Sequence, residues 1–324
     1  MPRRLTVVLL ALALVPVASA ADAQKATVTL DWTPNPNHVG LYVARDAGLF
    51  EQAGLDVALR APSDPTAPLK LVAAGKSDLA VSYEQEVFFA AAKRLPVVAV
   101  AAVVPRPLNS IIAIRSGIHS VADLRGRTIG ITGVPADYAA LDTALAKAGL
   151  TRKDVKIVSV GYNLLPSLLA HRVDAVLGVY RNVEGIELQQ RGLKPTIIPL
   201  ARAGVPSYDE LVLVANSTRV RDDPAYRDLV TGLVHAFARG TSLAIADPAR
   251  SLRVMRDVTA SDPRFLARAV PATLALLRGR KGPACMEAAA WRRFGLWMQA
   301  RSLLKSRVPA SAAMTTRFLP ASCR

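Results

Sequence analysis

The chain alternates short apolar runs with longer amphipathic stretches, and this alternation limits its possible folds more than any other feature. Runs rich in β-branched residues and bounded by Gly, Pro, Asp or Lys predict strands at residues 27–32, 55–61, 79–82, 97–104, 110–114, 128–132, 156–160, 174–180, 196–200 and 210–215. Several are continuously apolar, which is typical of buried strands in mainly parallel sheets. Helical patterns between them end at Gly54, Gly75, Gly149 and Gly192. The alternation predicts an α/β fold.

The strand pattern stops near residue 220. Residues 222–245 predict one long helix with Pro224 in its first turn, residues 248–258 predict another, and a mostly helical tail follows. Chain crossings near residues 105–111 and 206–213 would give two lobes joined by a hinge. The first lobe would contain residues 24–110 and 213–324, and residues 111–212 would form an inserted second lobe.

The first twenty residues have the pattern of a secretory signal peptide. Arg3 and Arg4 precede an apolar run at residues 5–17, and Ala18-Ser19-Ala20 provides a small-x-small cleavage site. The run is too short for a membrane-spanning helix. We therefore expect cleavage after Ala20 and a periplasmic mature protein.

Cys285 and Cys323 are the two cysteines of the chain. In an oxidising compartment they could form a disulfide that pins the C-terminal tail, with two free thiols as the alternative. The four histidines are scattered without the spacing of a metal site, so we expect no metal and no cofactor.

The composition excludes several functional classes. With 51% apolar and 20% charged residues the chain can bury a substantial core. The formal charge of +16 raises the possibility of nucleic-acid binding, but the basic residues are scattered and aromatic residues make up 5%. No nucleic-acid-binding signature is present, so a merely basic surface is the better interpretation. The hydrolase motifs Gly-x-Ser-x-Gly and His-Glu-x-x-His and the P-loop are also absent from the sequence.

Residues 31–44 (DWTPNPNHVGLYVA) resemble the opening signature of a periplasmic binding-protein family. That family includes the formylaminopyrimidine-binding proteins of thiamine salvage and the fungal enzymes that make the thiamine pyrimidine. Similar stretches follow at residues 48–57, 71–80, 107–110, 124–130 and 180–185. The pattern between residues 48 and 79 is shared with sulfonate and nitrate binders. The first signature together with Tyr180-x-x-x-Glu184 is narrower and indicates a pyrimidine ligand.

The resemblance implies a type II periplasmic-binding-protein fold, with two lobes, a hinge and C-terminal helices. It also implies a monomer that captures a small pyrimidine between its lobes and delivers it to an ABC permease in the inner membrane. The alternatives within this class are another flat heterocycle, such as a flavin precursor, and a small sulfonate-like anion.

The fungal synthases provide the alternative from another class, an enzyme that consumes the histidine aligned with His38. Those enzymes carry a cysteine-rich cluster for iron-dependent chemistry. The corresponding residues 207–213 (SYDELVL) contain no cysteine, so we do not carry the activity over and expect a protein that is not an enzyme.

The opening signature supplies the first candidate ligand contacts. Trp32 lies at the carboxyl end of the first predicted strand, where open α/β sheets bind their ligands, and an indole there can stack on a flat heterocycle. A core tryptophan is the alternative. Asn35, Asn37 and His38 form a polar turn before the first helix, where they could contact the ligand or cap that helix.

Tyr180 and Glu184 supply the second set. Tyr180 ends an apolar strand and Glu184 lies four residues later, in the first turn of the next helix. The resemblance implies that the Glu184 carboxylate accepts from the pyrimidine amine and favours protonation of the ring nitrogen, while Tyr180 covers the face opposite Trp32. The alternative for Glu184 is a favourable interaction with the helix dipole. Weaker candidates at strand ends or a crossover are Ser82, Glu84, Asn109 and Ser110.

Overall fold

A computed structural model describes residues 23–323, and the predicted signal peptide lies outside them. In this part of the chain the strands form two five-stranded sheets, ordered β2-β1-β3-β10-β4 and β7-β6-β8-β5-β9. The strands are β1 (Gln24–Thr29), β2 (Leu55–Arg60), β3 (Leu79–Ser82), β4 (Val97–Val104), β5 (Asn109–Ala113), β6 (Thr128–Ile131), β7 (Lys156–Ser159), β8 (Ala175–Tyr180), β9 (Thr196–Pro199) and β10 (Leu211–Asn216).

Helices connect the strands and make up most of the chain after β10. The helices are α1 (Val39–Asp46), α2 (Ala67–Ala73), α3 (Glu84–Ala92), α4 (Pro135–Lys147), α5 (Leu164–Leu169), α6 (Glu184–Gln190), α7 (Ser217–Asp222), α8 (Pro224–Ala246), α9 (Pro248–Val258), α10 (Pro263–Leu274), α11 (Ala288–Ala300) and α12 (Ala310–Ala313). The predicted α/β alternation and the helical C-terminal part are therefore both present.

Each sheet contains one strand that opposes the other four. Strand β10 is antiparallel to β3 and β4, and β5 is antiparallel to β8 and β9. The prediction of mainly parallel sheets is correct for four of the five strands in each sheet. The fifth strand is antiparallel, so each sheet is mixed. The physical reason is the chain path. The chain leaves each sheet at the carboxyl end of a strand and enters the next sheet from that same side, so the first strand after each crossing runs backwards.

Two connections join the sheets, at residues 105–108 and 200–210. One carboxylate makes hydrogen bonds that link these two connections to each other. Glu210 Oε2 accepts hydrogen bonds from the backbone N–H groups of Leu108 (2.5 Å) and Asn109 (2.8 Å) and from the hydroxyl of Tyr208 (2.9 Å). We propose that these connections form the hinge between a lobe of residues 24–110 with 213–324 and a lobe of residues 111–212.

Helix α1, which follows the signature turn, crosses α8 at two glycines. A Cβ atom on Gly40 would lie 2.1 Å from Thr241 Oγ1, and one on Gly240 would lie 2.5 Å from the Cβ of Ala44. Among the described residues α8 has the length and hydropathy of a membrane span, but 56% of that segment is buried inside the protein. Packing against α1 therefore accounts for the apolar composition of α8. Gly40, the glycine of the signature, is needed because a larger residue would not fit at this helix crossing.

The C-terminal segment is attached to the outer strand of the first sheet. Ala102 N–H donates to the Ala284 carbonyl and Thr315 N–H donates to the Ala99 carbonyl, both at 2.9 Å. Cys285 and Cys323 form a disulfide that encloses α11 and α12, with their Cα atoms 5.2 Å apart. These contacts cover the free edge of β4, which would otherwise expose unpaired backbone groups.

Replacing Gly40 by alanine should lower the free energy of unfolding by about 1–3 kcal/mol, because the new methyl group would overlap Thr241. Gly232→Ala on α8 is the matched control. Its Cβ would meet Leu55 at 3.4 Å, an ordinary contact, and alanine gains about 0.5–1 kcal/mol over glycine inside a helix. Urea denaturation measures both. Equal stability of the two variants would contradict this account of the crossing.

The double variant Cys285→Ser with Cys323→Ser should lose about 3–4 kcal/mol of unfolding free energy, since the bond closes a loop with a sequence separation of 38. Urea denaturation of the oxidised and reduced wild type should reproduce the difference. An unchanged midpoint on reduction would show that the bond does not constrain the unfolded chain.

Candidate ligand-binding site

The carboxyl ends of the parallel strands of both sheets meet at one cleft. Tyr83 follows β3, Thr132 follows β6, and Tyr180 ends β8. Open α/β sheets bind ligands at this edge because strand-to-helix turns expose backbone and side-chain groups there. The cleft between the sheets is therefore the candidate site.

The cleft contains two adjoining chambers, which share Tyr83 and Val134 in their walls. The inner chamber has a volume of about 20 Å³, room for roughly one water molecule. The outer chamber has a volume of about 230 Å³. The polar and aromatic residues of the inner wall are Tyr83, Gln85, Asn109, Thr132, Asp137, Tyr180 and Glu210. A heterocycle needs more space than the inner chamber provides, whereas the adjoining outer chamber is much larger.

Asp31 lines the outer chamber on its first-sheet side and is 2% exposed. Its Oδ1 lies 2.8 Å from Nε2 of His38, and its Oδ2 accepts from the hydroxyl of Tyr83 at 3.2 Å. Because His38 Nδ1 accepts from the N–H of Asn35 (3.3 Å), we assign the imidazole proton to Nε2, which donates to Asp31. Both carboxylate oxygens are thus held in place.

The structure assigns local roles to the polar signature turn. Asn35 caps the 3₁₀ helix Pro36–His38, its Oδ1 accepting from the N–H of Asn37 at 3.0 Å. His38 is fully buried, so in this conformation it serves the turn and orients Asp31. Ligand contact by Asn35 or His38 therefore remains a prediction that no contact seen here supports.

Asn37 makes a contact that links the two sheets through Asn182. Asn182 Nδ2 donates to Asn37 Oδ1 at 2.7 Å and to Thr273 Oγ1 of α10 at 2.8 Å. Asn37 and Asn182 are 1% and 3% exposed. Asn37 Nδ2 and Asn182 Oδ1 have no hydrogen-bond partner among the described residues, and such buried groups cost about 1–3 kcal/mol each. This amide pair is thus a polar contact between the lobes.

Trp32 also contacts the other side of the cleft. Its ring lies edge-on to Tyr162, with centroids 4.3 Å apart and an interplanar angle of 85°. It packs against the small apolar cluster of the second sheet, which includes Leu164 and Leu165. These contacts support the packing role of the indole, which is partly exposed, and its role as a stacking platform for a ligand stays a prediction.

The Glu184 carboxylate serves the turn between β8 and α6. Its Oε2 accepts from the N–H of Tyr180 at 2.7 Å. A carboxylate has about four lone-pair sites, so this bond leaves capacity for a ligand. Burial raises the pKa of Glu184 to about 7, and the charge of Asp31 contributes to that rise. Burial also raises the pKa of Tyr180, and the neighbouring Tyr83 and Glu210 add to that rise.

Three of the four weaker candidates have hydrogen-bond partners within the protein. Ser110 is fully buried and donates to the Leu108 carbonyl (3.0 Å), whereas Ser82 lines the outer chamber. Asn109 lines the inner chamber, and its Oδ1 accepts from the N–H of Gly178 at 3.1 Å. Glu84 Oε2 accepts from the N–H of Asp209 at 2.7 Å, while its Oε1 has no partner among the described residues.

Tyr83, Tyr162 and Asn182 were not identified from the sequence. Tyr83 directly follows β3 and Tyr162 follows β7 by three residues. The strand-end argument that selected Trp32 applies equally to these two tyrosines and could have found them. Asn182 lies between Tyr180 and Glu184, but its partners are 145 and 91 residues away, and no local pattern reveals them.

The cleft is acidic although the chain carries a formal charge of +16. Burial raises the pKa values of Glu86, Glu184 and Glu210 to about 7 and that of Asp137 to about 6. Burial lowers the pKa of the nearby Arg181 guanidinium, whose Nη1 donates to the Pro107 carbonyl at 2.6 Å. Lys70 and Lys93 line the outer chamber. The inner site is thus rich in hydrogen-bond acceptors and suits a ligand that donates hydrogen bonds or becomes protonated.

These carboxyls make stability depend on pH. Their folded pKa values lie above their ordinary ones, so between about pH 4 and 7 the folded protein binds more protons than the unfolded chain. The free energy of unfolding should therefore fall as the pH rises from 5 to 8.

Glu86→Gln should reduce this slope by up to about 1.4 kcal/mol per pH unit, because the amide can still accept from Ala136 N–H without titrating. Urea denaturation across this range measures the slope. Glu51→Gln, at an exposed position, is the control, and equal slopes in both variants would contradict the prediction.

Comparison with known proteins identifies relatives over most of the chain. Residues 35–251 match the family described as "NMT1/THI5 like". A Haemophilus influenzae protein whose name refers to thiamine biosynthesis is 42% identical over 226 residues, covering 69% of this chain and 70% of that protein. The formylaminopyrimidine-binding protein of Halalkalibacterium halodurans is 38% identical over 229 residues, covering 70% and 68%. A Saccharomyces cerevisiae 4-amino-5-hydroxymethyl-2-methylpyrimidine phosphate synthase is 25% identical over 241 residues, covering 71% and 70%.

Solved structures show the same architecture. The alkanesulfonate-binding protein of Xanthomonas axonopodis has a TM-score of 0.71 at 20% identity, covering 91% of this chain and 99% of that one. This likeness concerns the fold and confirms the predicted two-lobed α/β architecture. The chain belongs to the NMT1/THI5-like family and has the fold of the periplasmic binding proteins.

Proposed function

We propose that this protein is the substrate-binding component of an ABC uptake transporter and captures a thiamine pyrimidine precursor, formylaminopyrimidine or hydroxymethylpyrimidine, between its lobes. The observation that carries the proposal is the acidic, aromatic cleft. An aminopyrimidine offers an amine donor beside a basic ring nitrogen, which suits a site rich in carboxylates. The formylaminopyrimidine-binding relative supports the same ligand class.

In the proposed complex, Trp32 and Tyr180 cover the two faces of the ring, and Glu184 accepts from the amine. The edge-on Trp32–Tyr162 pair would separate when the lobes open, which would free the indole face for stacking. A carboxyl with a pKa near 7 can share a proton with a weakly basic ring nitrogen, so Glu184 suits this contact. Asn37 and Asn182 would close the lobes around the bound ligand.

The delivery role rests on the same fold. Closure around the ligand would present both lobes to an inner-membrane permease. We propose a monomer located in the periplasm and exported by the signal peptide of residues 1–20.

A sulfonate-like anion is the second candidate, because proteins of the same fold bind alkanesulfonates. The cleft opposes it, since an anion in the inner chamber would face Asp137 and Glu210, and one in the outer chamber would face Asp31 and Glu86. Another flat heterocycle, such as a flavin precursor, could stack on the same aromatic residues. It would need a polar contact other than the one proposed between the pyrimidine amine and Glu184. We propose no catalytic activity, although synthases occur among the more distant relatives.

Isothermal titration and thermal-shift measurements of the purified protein test the ligand class. Formylaminopyrimidine or hydroxymethylpyrimidine should raise the melting temperature by mass action, whereas nitrate, alkanesulfonates and flavin precursors should not. Glu184→Gln and Trp32→Ala should each weaken pyrimidine binding at least about tenfold, since each removes a charge-assisted or stacking contact. Glu184→Gln keeps an acceptor for the N–H of Tyr180, so the turn should survive.

Glu187→Gln is the control. It removes one carboxylate from the same helix, where Glu187 forms an ion pair with Arg191, and it should leave affinity unchanged within about twofold. Wild-type affinity in both Glu184→Gln and Trp32→Ala would refute the proposed contacts. A thermal shift with alkanesulfonate alone would refute the pyrimidine assignment.

A further inference from the structure

The basic charge of the chain is concentrated near its C-terminus. Residues 278–317 contain one acidic residue, Glu287, and so carry +8 of the chain's formal +16. Their basic residues are Arg278, Arg280, Lys281, Arg292, Arg293, Arg301, Lys305, Arg307 and Arg317. This segment lies beyond residues 35–251, which match the family.

The fold gathers much of this charge around α11. Arg292 and Arg307 line a groove of about 530 Å³ on one side of the helix. Arg280, Lys281 and Arg293 line a second groove, of about 190 Å³, on the other side. We call the surface formed by these five basic residues and Leu296 the α11 surface. Leu296 belongs to the first groove and is 49% exposed, a high value for a leucine.

Few carboxylates face this surface. Glu287 forms an ion pair with Arg280 at 3.7 Å in the second groove, and Asp209 there accepts from the indole N–H of Trp291 at 2.8 Å. Arg292, Arg293 and Arg307 make no salt bridge with any residue between 23 and 323. The first groove contains no acidic residue in its lining. The positive charge of the α11 surface is therefore largely uncompensated.

We propose that the α11 surface docks on a membrane rich in anionic phospholipids. Basic side chains on both flanks of a helix with an exposed leucine between them match the chemistry of a lipid interface, where arginines meet phosphates and an apolar side chain enters the headgroup layer. The charge is spread over two grooves and is not focused in one pocket, so a broad anionic surface fits better than a single small anion.

The α11 surface is separate from the ligand cleft. Helix α11 packs on the outer side of α3, where Gly295 is in close contact with Phe88. Membrane docking would keep the protein near a membrane-embedded partner while leaving the cleft free. The proposal does not depend on which ligand the cleft binds.

Co-sedimentation with vesicles tests the proposal. The chain without residues 1–20 should bind vesicles containing about 30% phosphatidylglycerol at about 0.1 M salt, bind pure phosphatidylcholine weakly, and dissociate at about 0.5 M salt. The triple variant Arg292→Gln, Arg293→Gln, Arg307→Gln should reduce the vesicle partition coefficient about tenfold or more.

The matched control removes the same net charge elsewhere. Arg172, Arg202 and Arg256 are exposed and make no salt bridge with a described residue, so replacing all three by glutamine should change the coefficient less than about twofold. Equal losses in both triple variants would overturn the proposal, because total charge would then explain binding. Equal binding to both kinds of vesicle would also overturn it, because binding would then not depend on the charge of the lipid. Pyrimidine affinity, measured on the same variants, should stay unchanged, so failure here is distinguishable from failure of the proposed function.

Discussion

The close crossing of α1 and α8 is the constraint on which the site depends. Gly40 and Gly240 allow the two helix backbones to approach so closely that Cβ atoms at these positions would overlap their neighbours. Helix α1 begins directly after the turn containing His38, so the crossing also sets the position of that turn. The turn orients Asp31 through a buried hydrogen bond, and Asp31 in turn accepts from Tyr83. Packing far from the cleft thus determines the geometry of one of its walls.

The cleft and the outer surface have opposite electrostatic character. Carboxyl groups concentrate where the two sheets meet, and burial raises the pKa values of several of them towards neutrality. No basic residue in the described part of the chain lines the inner chamber, and half of the net charge lies in residues 278–317. This separation lets one chain present acceptors to a small ligand and a positive surface to a larger anionic partner.

The buried polar contacts between the lobes connect segments that are distant in the sequence. Asn182 reaches Asn37 and Thr273, Glu86 accepts from the N–H of Ala136, and Glu210 ties the two connections. A buried polar group that loses its partner is costly, so these contacts favour a closed arrangement whose opening must be compensated by water or ligand.

Local pattern was enough to predict the α/β alternation, the glycines that end several helices, and the helical C-terminal part. These depend on periodicity and on glycine stereochemistry, which act within a few residues. The position of Tyr180 at a strand end was also predictable, as were those of Trp32 and Glu184 in the segments that follow β1 and β8, because parallel strands end at a common edge. The tertiary structure alone decided that His38 is buried behind Asp31, that Glu184 accepts from Tyr180, and that Asn182 bridges the lobes. It also decided the reversal of β5 and β10 and the gathering of arginines around α11, since pairing and burial between distant segments depend on how whole sheets and helices pack.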